Sequence, residues 1–273
     1  MQLYTAFALY GNWCFSCIFA LLPNKRQETY VRMLSKIIEL VIMTPTRILV
    51  DFEAAAISAL RATLPMTLIC GCYFHYCQAI YRKMCELGFQ QRYAIDAAFR
   101  LEIRKLMALA FVPRDKVTDT FCTIAEALPD DVQDLVDYME RTWVGWDNDA
   151  GDRVPPRFAI SLWSVYDRVS APETEHYRTN NAAERFHHSF NTFVVQTSHP
   201  SMLNFVDHLK TRQRLTQYDL EAYKRGDEAT VPPRFEKLNK RLRNLMDRYT
   251  NNANENALVD GIARAYAYVN ANN

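Results

Sequence analysis

The alternation of apolar and polar positions predicts strands and helices in turn over the first 90 residues. Two apolar, β-rich runs at residues 3–10 and 13–22 flank Gly11-Asn12. A Gly-Asn pair between two such runs predicts a β-hairpin. The alternative, a targeting segment over residues 2–23, is disfavoured because no Lys or Arg precedes the apolar run.

The next segments are expected to form an α/β arrangement. The predicted elements are, in order, helix 28–41, strand 47–50, helix 52–64, strand 66–74 and helix 76–87. Strands that alternate with helices in this way imply parallel strands joined by crossover connections. Residues 91–150 and the region after residue 156 show helical patterns, with prolines marking the breaks between helices.

Charge is unevenly distributed behind a net charge of only +1. Residues 115–150 contain ten Asp or Glu and two Lys or Arg, whereas residues 201–250 contain eleven Lys or Arg and seven Asp or Glu. A basic helical region of this kind can follow a phosphate backbone. It can equally be a solvated amphipathic helix with its charges outward, and charge alone favours that second interpretation.

Composition excludes several classes of protein. With 273 residues, 49% of them hydrophobic, the chain can bury a sizeable core and is not a disordered segment. Seven cysteines form no even framework, which indicates reduced thiols in an intracellular compartment. Only seven glycines are present, without a Gly-x-Gly-x-x-Gly or Walker lysine loop, so nucleotide cradling is disfavoured. There is also no Gly-x-Ser-x-Gly elbow.

Asp51 follows the predicted strand 47–50 directly. Ligands gather at the carboxyl ends of strands in open α/β sheets, and a carboxylate there can hold Mg²⁺. The alternative is that Asp51 caps a helix that begins at Phe52, and the local sequence alone favours this cap. Glu53 is expected to interact with the helix dipole.

A second acid, Glu184, lies near the start of a later predicted helix. Asn181 and Glu184 have the spacing of a capping box. The polar residues around them are Asn180, Arg185, His187 and His188. Such crowding at a helix start suits a site that faces phosphate, although the capping box by itself explains the spacing.

Cys72-x-x-His75, flanked by Cys70 and Cys77, suggests a zinc site at first sight. Structural zinc needs four ligands, usually in two close pairs, and no second pair is evident. Buried thiols on a core strand are the simpler explanation.

Three blocks, in order, resemble Mutator-like element (MULE) transposases. The first combines residues 3–10 with Phe-Ala-Leu-Leu-Pro-Asn-Lys at 19–25 and Thr29-Tyr30. The second is Asp51-Phe52-Glu53 followed by Cys-Tyr-Phe-His-Tyr-Cys-Gln-Ala at 72–79, and the third is Thr-Asn-Asn-x-x-Glu at 179–184. Together the blocks span about the first 200 residues.

The resemblance implies an α/β, RNase H-like mixed sheet that is interrupted by a helical insertion and followed by a helical C-terminal region. The expected parts are a core at 1–90, an acidic insertion at 91–155, a return to the core at 156–200 and a basic helical region at 201–273. In the family's DDE pattern Asp51 matches the second Asp and Glu184 the final Glu, both as ligands of Mg²⁺ or Mn²⁺. Cys72, His75, Asn180 and Asn181 are supporting residues.

The same resemblance implies DNA cleavage and strand transfer at transposon ends, and a nuclear location in a eukaryote. Self-association is compatible with it, and a membrane is not an expected partner. The family's first Asp, on a strand before the hairpin, has no counterpart among these residues, so we expect a truncated or decayed, inactive copy. The alternatives are a domesticated DNA-binding or regulatory protein without catalysis and a helical interaction scaffold.

Overall fold

The computed structural model describes residues 2–10, 12–41, 44–170, 201–229 and 233–270. The chain divides into two compact units, which are described separately. The first comprises Met1–Ile48, Glu53–Ile69 and Asn180–Val231, and the second Leu49–Phe52, Cys70–Thr179 and Pro232–Asn273. The described residues form a mixed α/β structure that is mostly helical.

Strands and helices follow one another in the predicted order near the N-terminus. The strands are β1 (Gln2–Tyr10), β2 (Trp13–Leu22), β3 (Arg47–Val50), β4 (Leu68–Gly71), β5 (Trp146–Asp147) and β6 (Arg153–Val154). The helices are α1 (Gln27–Leu40), α2 (Ala54–Thr63), α3 (Tyr73–Glu86), α4 (Gln90–Ile95), α5 (Ala97–Ala108), α6 (Val117–Glu126), α7 (Gln133–Met139), α8 (Ile160–Trp163), α9 (Tyr166–Ser170), α10 (Met202–Lys224), α11 (Pro233–Asn251) and α12 (Glu255–Asn270). Short 3-10 turns at Leu109–Phe111, Arg114–Lys116 and Asp130–Val132 and a π turn at Glu140–Val144 connect the central helices. No helix in the described part of the chain is long and apolar enough to cross a membrane.

The first unit is built around the predicted hairpin. β1 and β2 pair antiparallel from Gln2↔Leu22 to Tyr10↔Trp13, with a shift in register between Ala6 and Phe7. This pairing confirms the hairpin prediction. α1 packs against α2, and α10 packs against β2. A hydrogen bond joins the hydroxyls of Ser16 and Thr216 across this second contact.

β3 and β4 form a separate two-stranded sheet. The amide of Leu68 donates to the carbonyl of Thr46 (3.0 Å), and the amide of Cys72 donates to the carbonyl of Val50 (2.8 Å). Both strands advance by four residues in the same direction between these bonds, so they are parallel. Their carboxyl ends, which lead to Asp51 and Cys72, therefore lie at the same edge.

Two predicted helix starts and both ends of one predicted strand are wrong. The helix expected at 52–64 begins at Ala54, and the strand expected at 66–74 is only Leu68–Gly71, with α3 beginning at Tyr73. The apolar run extends past the strand because Tyr73 and Tyr76 are buried from the first turn of α3. A run of buried residues does not by itself distinguish a strand from a helix start.

Aromatic side chains form the core of the second unit. The ring of Tyr76 stacks on Trp163 (4.8 Å between centroids), and Phe52 meets Trp143 edge-on at 4.8 Å. The indole Nε1 of Trp163 donates to the carbonyl of Trp143 (2.9 Å). Because Phe52 is anchored in this cluster, the neighbouring Asp51 has a fixed backbone position at the end of β3.

Candidate functional site

The Asp51 side chain is exposed at the carboxyl end of β3. It does not cap α2, because that helix begins three residues later and its N-cap position is Glu53, without a side-chain cap hydrogen bond. The cap interpretation is therefore wrong. The Asp51 carboxylate makes no hydrogen bond or ion pair with the described residues, so both of its oxygens are available to a ligand.

His75 lies in the first turn of α3, at the same sheet edge as Asp51. Its ring is half-buried, and its Nδ1 atom is buried without a hydrogen-bond partner among the described residues. Burial lowers the pKa of His75, and Arg82 lowers it further, whereas the negative charge of Asp51 opposes both effects. The neutral imidazole that results can accept a hydrogen bond or bind a metal ion.

Cys72 is fully buried, and its backbone amide joins the ends of the two strands. It holds the N-cap position of α3 in an extended conformation, and its amide bonds to Val50 at the end of β3. This hydrogen bond fixes the spacing between the two strand ends. The structure therefore places Cys72 and His75 on the same helix start, one turn apart.

Arg168 is a positioning residue that the local sequence pattern does not reveal. It is only 4% exposed, and its guanidinium donates to the carbonyls of Gly71 (3.0 Å) and Ser164 (2.9 Å). The first of these contacts joins α9 to the last residue of β4 across 97 positions of sequence. It holds the strand end from which Cys72 and His75 follow.

Gly71, the last residue of β4, has no side chain, which leaves room for Phe52 and the backbone of Leu162 beside it. A Cβ at this position would lie 2.5 Å from the Cζ atom of Phe52 and 3.1 Å from the backbone oxygen of Leu162. A side chain at this position would therefore press on Phe52 where β4 passes the aromatic core. Phe52 lies between Asp51 and Glu53 in the chain.

Glu53, expected to interact with the helix dipole, occupies the N-cap position of α2 and also has specific side-chain partners. Its carboxylate accepts a hydrogen bond from the Tyr30 hydroxyl (2.7 Å) and pairs with the Nζ of Lys25 (3.3 Å). The Tyr30 hydroxyl also accepts from the Nε2 of Gln2 (2.7 Å). Glu53 thus links β1, the start of α1 and the start of α2 within the first unit. We call Gln2, Lys25, Tyr30 and Glu53 the Glu53 network.

Asn24 completes the same motif by closing the start of α1. Its side-chain oxygen accepts from the amide of Arg26 (3.0 Å) and from the hydroxyl of Thr29 (2.7 Å). The side chains of Asn24, Lys25, Thr29 and Tyr30 are therefore engaged in contacts inside the first unit, and these contacts stabilise the fold.

The described residues contain no group of three or more His, Cys, Asp or Glu that could hold a metal ion. Asp51 and His75 supply suitable donors, a free carboxylate and an unpaired ring nitrogen. Glu184, Asn180 and Asn181, the other predicted site residues, lie outside the described residues, as do Arg185, His187 and His188. Metal binding at this site can therefore be tested by substituting Asp51.

Comparison with known families supports the ancestry of the N-terminal part. The family model for the MULE transposase domain matches residues 1–79. This range contains the first two motif blocks, from β1 to the first half of α3, and confirms the resemblance there. The match ends before the block at 179–184. No curated protein and no solved structure matches the chain.

Proposed function

We propose that the chain is a MULE transposase-derived domain with an RNase H-like core, whose ancestral reaction is metal-dependent DNA cleavage and strand transfer. The family match over residues 1–79 supports the origin. One observation carries the proposed site: the exposed Asp51 carboxylate has no partner among the described residues, at the sheet edge where the Nδ1 atom of His75 is buried without one.

In this proposal the Asp51 carboxylate is a ligand of Mg²⁺ or Mn²⁺, and Glu184 is the second. Oxygen donors of this type suit both ions. A bound divalent metal supplies positive charge for in-line displacement at phosphorus. Neutral His75 contacts a phosphate or orients a carboxylate, and Asn180 and Asn181 are further supporting residues by the resemblance. Cys72 and Arg168 position the strand ends.

We further propose that these 273 residues do not cleave DNA alone. The DDE pattern needs three acids, and the sequence from residue 1 to residue 50 contains no Asp. Its two Glu residues, Glu28 and Glu39, are exposed on α1, outside the strands. Metal binding through Asp51 and Glu184 is then weak, in keeping with two carboxylates in place of three.

Calorimetric titration with Mn²⁺ tests the site. We expect weak binding to the unchanged chain and its loss in Asp51→Asn, which keeps the side-chain shape and removes the charge. Asp149→Asn is the matched control, because Asp149 is exposed and lies outside the proposed site. Unchanged Mn²⁺ binding in Asp51→Asn, or equal loss in both variants, contradicts the proposal.

A DNA-binding protein without catalysis is the second candidate, favoured by the exposed cations of α11. Binding to DNA in EDTA, with no Mn²⁺ binding that depends on Asp51, supports this candidate over the first. A chain that binds neither Mn²⁺ nor DNA supports a helical interaction scaffold instead. The two titrations together thus distinguish the three functions.

A further inference from the structure

The exposed side of α11 carries a continuous row of cations. Lys237, Lys240, Arg241 and Arg248 are all exposed, with Asn244 between them. At 3.6 residues per turn these positions fall within an arc of about 100° and extend over about 17 Å. We call the four cations the α11 stripe.

The packing of α11 determines which way the α11 stripe points. On the opposite side of the helix Leu238, Leu242 and Met246 are buried, and α11 packs on α12 within the second unit. The approach is close, since a Cβ at Gly261 of α12 would lie 2.6 Å from a methyl group of Leu245. The rotation of α11 is therefore fixed, with its stripe directed away from its packing partner.

The α11 stripe contains no acid. The two acids of α11, Glu236 and Asp247, lie just beyond its edge, about 40° and 20° around the helix from Lys240. None of the four cations forms an ion pair within the described part of the chain. Exposed cations that lack internal partners leave their full charge to an external anion.

α10, the other basic helix, differs in this respect. Lys224 of α10 pairs with Glu221 at 2.9 Å, and Lys210 lies 3.8 Å from Asp207. Arg225, just after the helix, pairs with Asp227 at 2.8 Å. The basic character of residues 201–250 is thus partly neutralised on α10 and concentrated on α11.

We propose that the α11 stripe binds the phosphate backbone of duplex DNA. A duplex segment as long as the stripe carries about ten phosphates, so a row of four cations has sufficient partners. Contacts of this kind set position and affinity and do not read sequence. The α11 stripe is then the surface that holds the DNA. This proposal rests on the proposed function only for the choice of DNA, rather than another polyanion, as the ligand.

The composition of the stripe argues against other partners. Membrane-binding helices insert an exposed apolar face, whereas the apolar face of α11 is buried. Proteins that hold single strands stack bases on aromatic side chains. The stripe has neither an aromatic nor an aliphatic side chain at its centre.

The test is a fluorescence anisotropy titration of a random-sequence duplex in EDTA over a range of NaCl concentrations. The stripe variant combines Lys237→Gln, Lys240→Gln, Arg241→Gln and Arg248→Gln. We expect its affinity to fall at least about tenfold and its salt dependence, the slope of log K against log[NaCl], to decrease by roughly 3 to 4. If the stripe variant does not fold, the pair Lys237→Gln and Arg241→Gln should lower the slope by about 2.

The matched control removes the same number of Lys and Arg residues from ion pairs elsewhere. It combines Lys36→Gln, Lys224→Gln, Arg225→Gln and Arg264→Gln, each from a cation that has an acidic partner. We expect this control to retain most of the salt dependence. Equal losses in both variants, no loss in the stripe variant, or equal competition by single-stranded DNA or an acidic peptide overturns the assignment.

Asp51→Asn separates this proposal from the proposed function. We expect Asp51→Asn to bind DNA in EDTA like the unchanged chain, because the α11 stripe needs no metal. If Asp51→Asn retains Mn²⁺ binding while the stripe variant loses DNA, the site proposal fails and the stripe stands. If Asp51→Asn alone loses DNA binding in EDTA, the assignment to α11 is wrong.

Discussion

The Glu53 network and the strand ends at Asp51 and His75 use polar side chains in opposite ways. In the network every residue has a partner within the network: Glu53 accepts from Tyr30 and pairs with Lys25, and Tyr30 accepts from Gln2. At the strand ends the Asp51 carboxylate has no hydrogen-bond partner in the described chain, and His75 Nδ1 is buried without one.

The difference teaches which motif residues to assign to stability and which to chemistry. Asp51 and Glu53 are two positions apart in one motif, yet only Glu53 is occupied by the fold. Buried polar groups are normally satisfied, so an unsatisfied one next to a free carboxylate indicates a site for an external ligand.

Tyr30→Ala should destabilise the protein most. Tyr30 is 2% exposed and contributes both a buried ring and the central hydroxyl of the Glu53 network. Removing a large buried aromatic side chain costs about 3 to 5 kcal/mol. Urea unfolding measures the loss, and a value below about 1 kcal/mol would show that the network does not support the first unit.

Glu53→Ala should lower the free energy of unfolding by about 2 kcal/mol, because it removes a charged acceptor and leaves the Tyr30 hydroxyl without it. Glu86→Ala is the control, since Glu86 also faces a lysine, Lys83, but is 67% exposed. We expect the control to cost less than about 1 kcal/mol. If both variants lose the same free energy of unfolding in urea, the Glu53 network stabilises the protein no more than a surface ion pair does.

Gly71→Ala should cost about 1 to 2 kcal/mol through overpacking. The added methyl group would press on Phe52 and on the backbone of Leu162. Because Phe52 precedes Glu53 and follows Asp51, we also expect weaker Mn²⁺ binding. Thermal unfolding and the Mn²⁺ titration check the two effects, and an unchanged melting temperature would show that Phe52 moves aside freely.

Asp51→Asn should change the free energy of unfolding by less than about 0.5 kcal/mol, as expected for an exposed residue without partners. This is the opposite of the result for Glu53→Ala, two residues away. A loss above about 1 kcal/mol in urea unfolding would restore Asp51 to a structural role, such as a cap.

The sequence predicts secondary structure well where it contains a clear turn signal or a clear helical spacing of apolar residues. Gly11-Asn12 between two apolar runs is sufficient for the hairpin, and the spacing of Tyr30, Met33 and Leu34 is sufficient for α1. It fails at the end of β4, because Tyr73 and Tyr76 continue the apolar run although they already belong to α3.

The local sequence pattern does not identify contacts between residues that are far apart in the chain. Glu53 is near a helix start, which suggests a dipole interaction, but its partners Lys25 and Tyr30 are 28 and 23 residues away. Arg168 reaches Gly71 across 97 positions. Net charge likewise identifies residues 201–250 as basic. It does not show that Lys224 of α10 pairs with Glu221, whereas the four cations of the α11 stripe form no ion pair within the described residues.

The most direct test of Asp51 as a free metal ligand is anomalous X-ray diffraction from crystals soaked in Mn²⁺. We expect an anomalous peak at about 2.0 to 2.4 Å from a carboxylate oxygen of Asp51. The same crystals should show Glu53 still bonded to Tyr30 and Lys25. Mn²⁺ bound elsewhere with Asp51 bare, or an Asp51 carboxylate engaged with the α2 backbone, would contradict the division between the two regions.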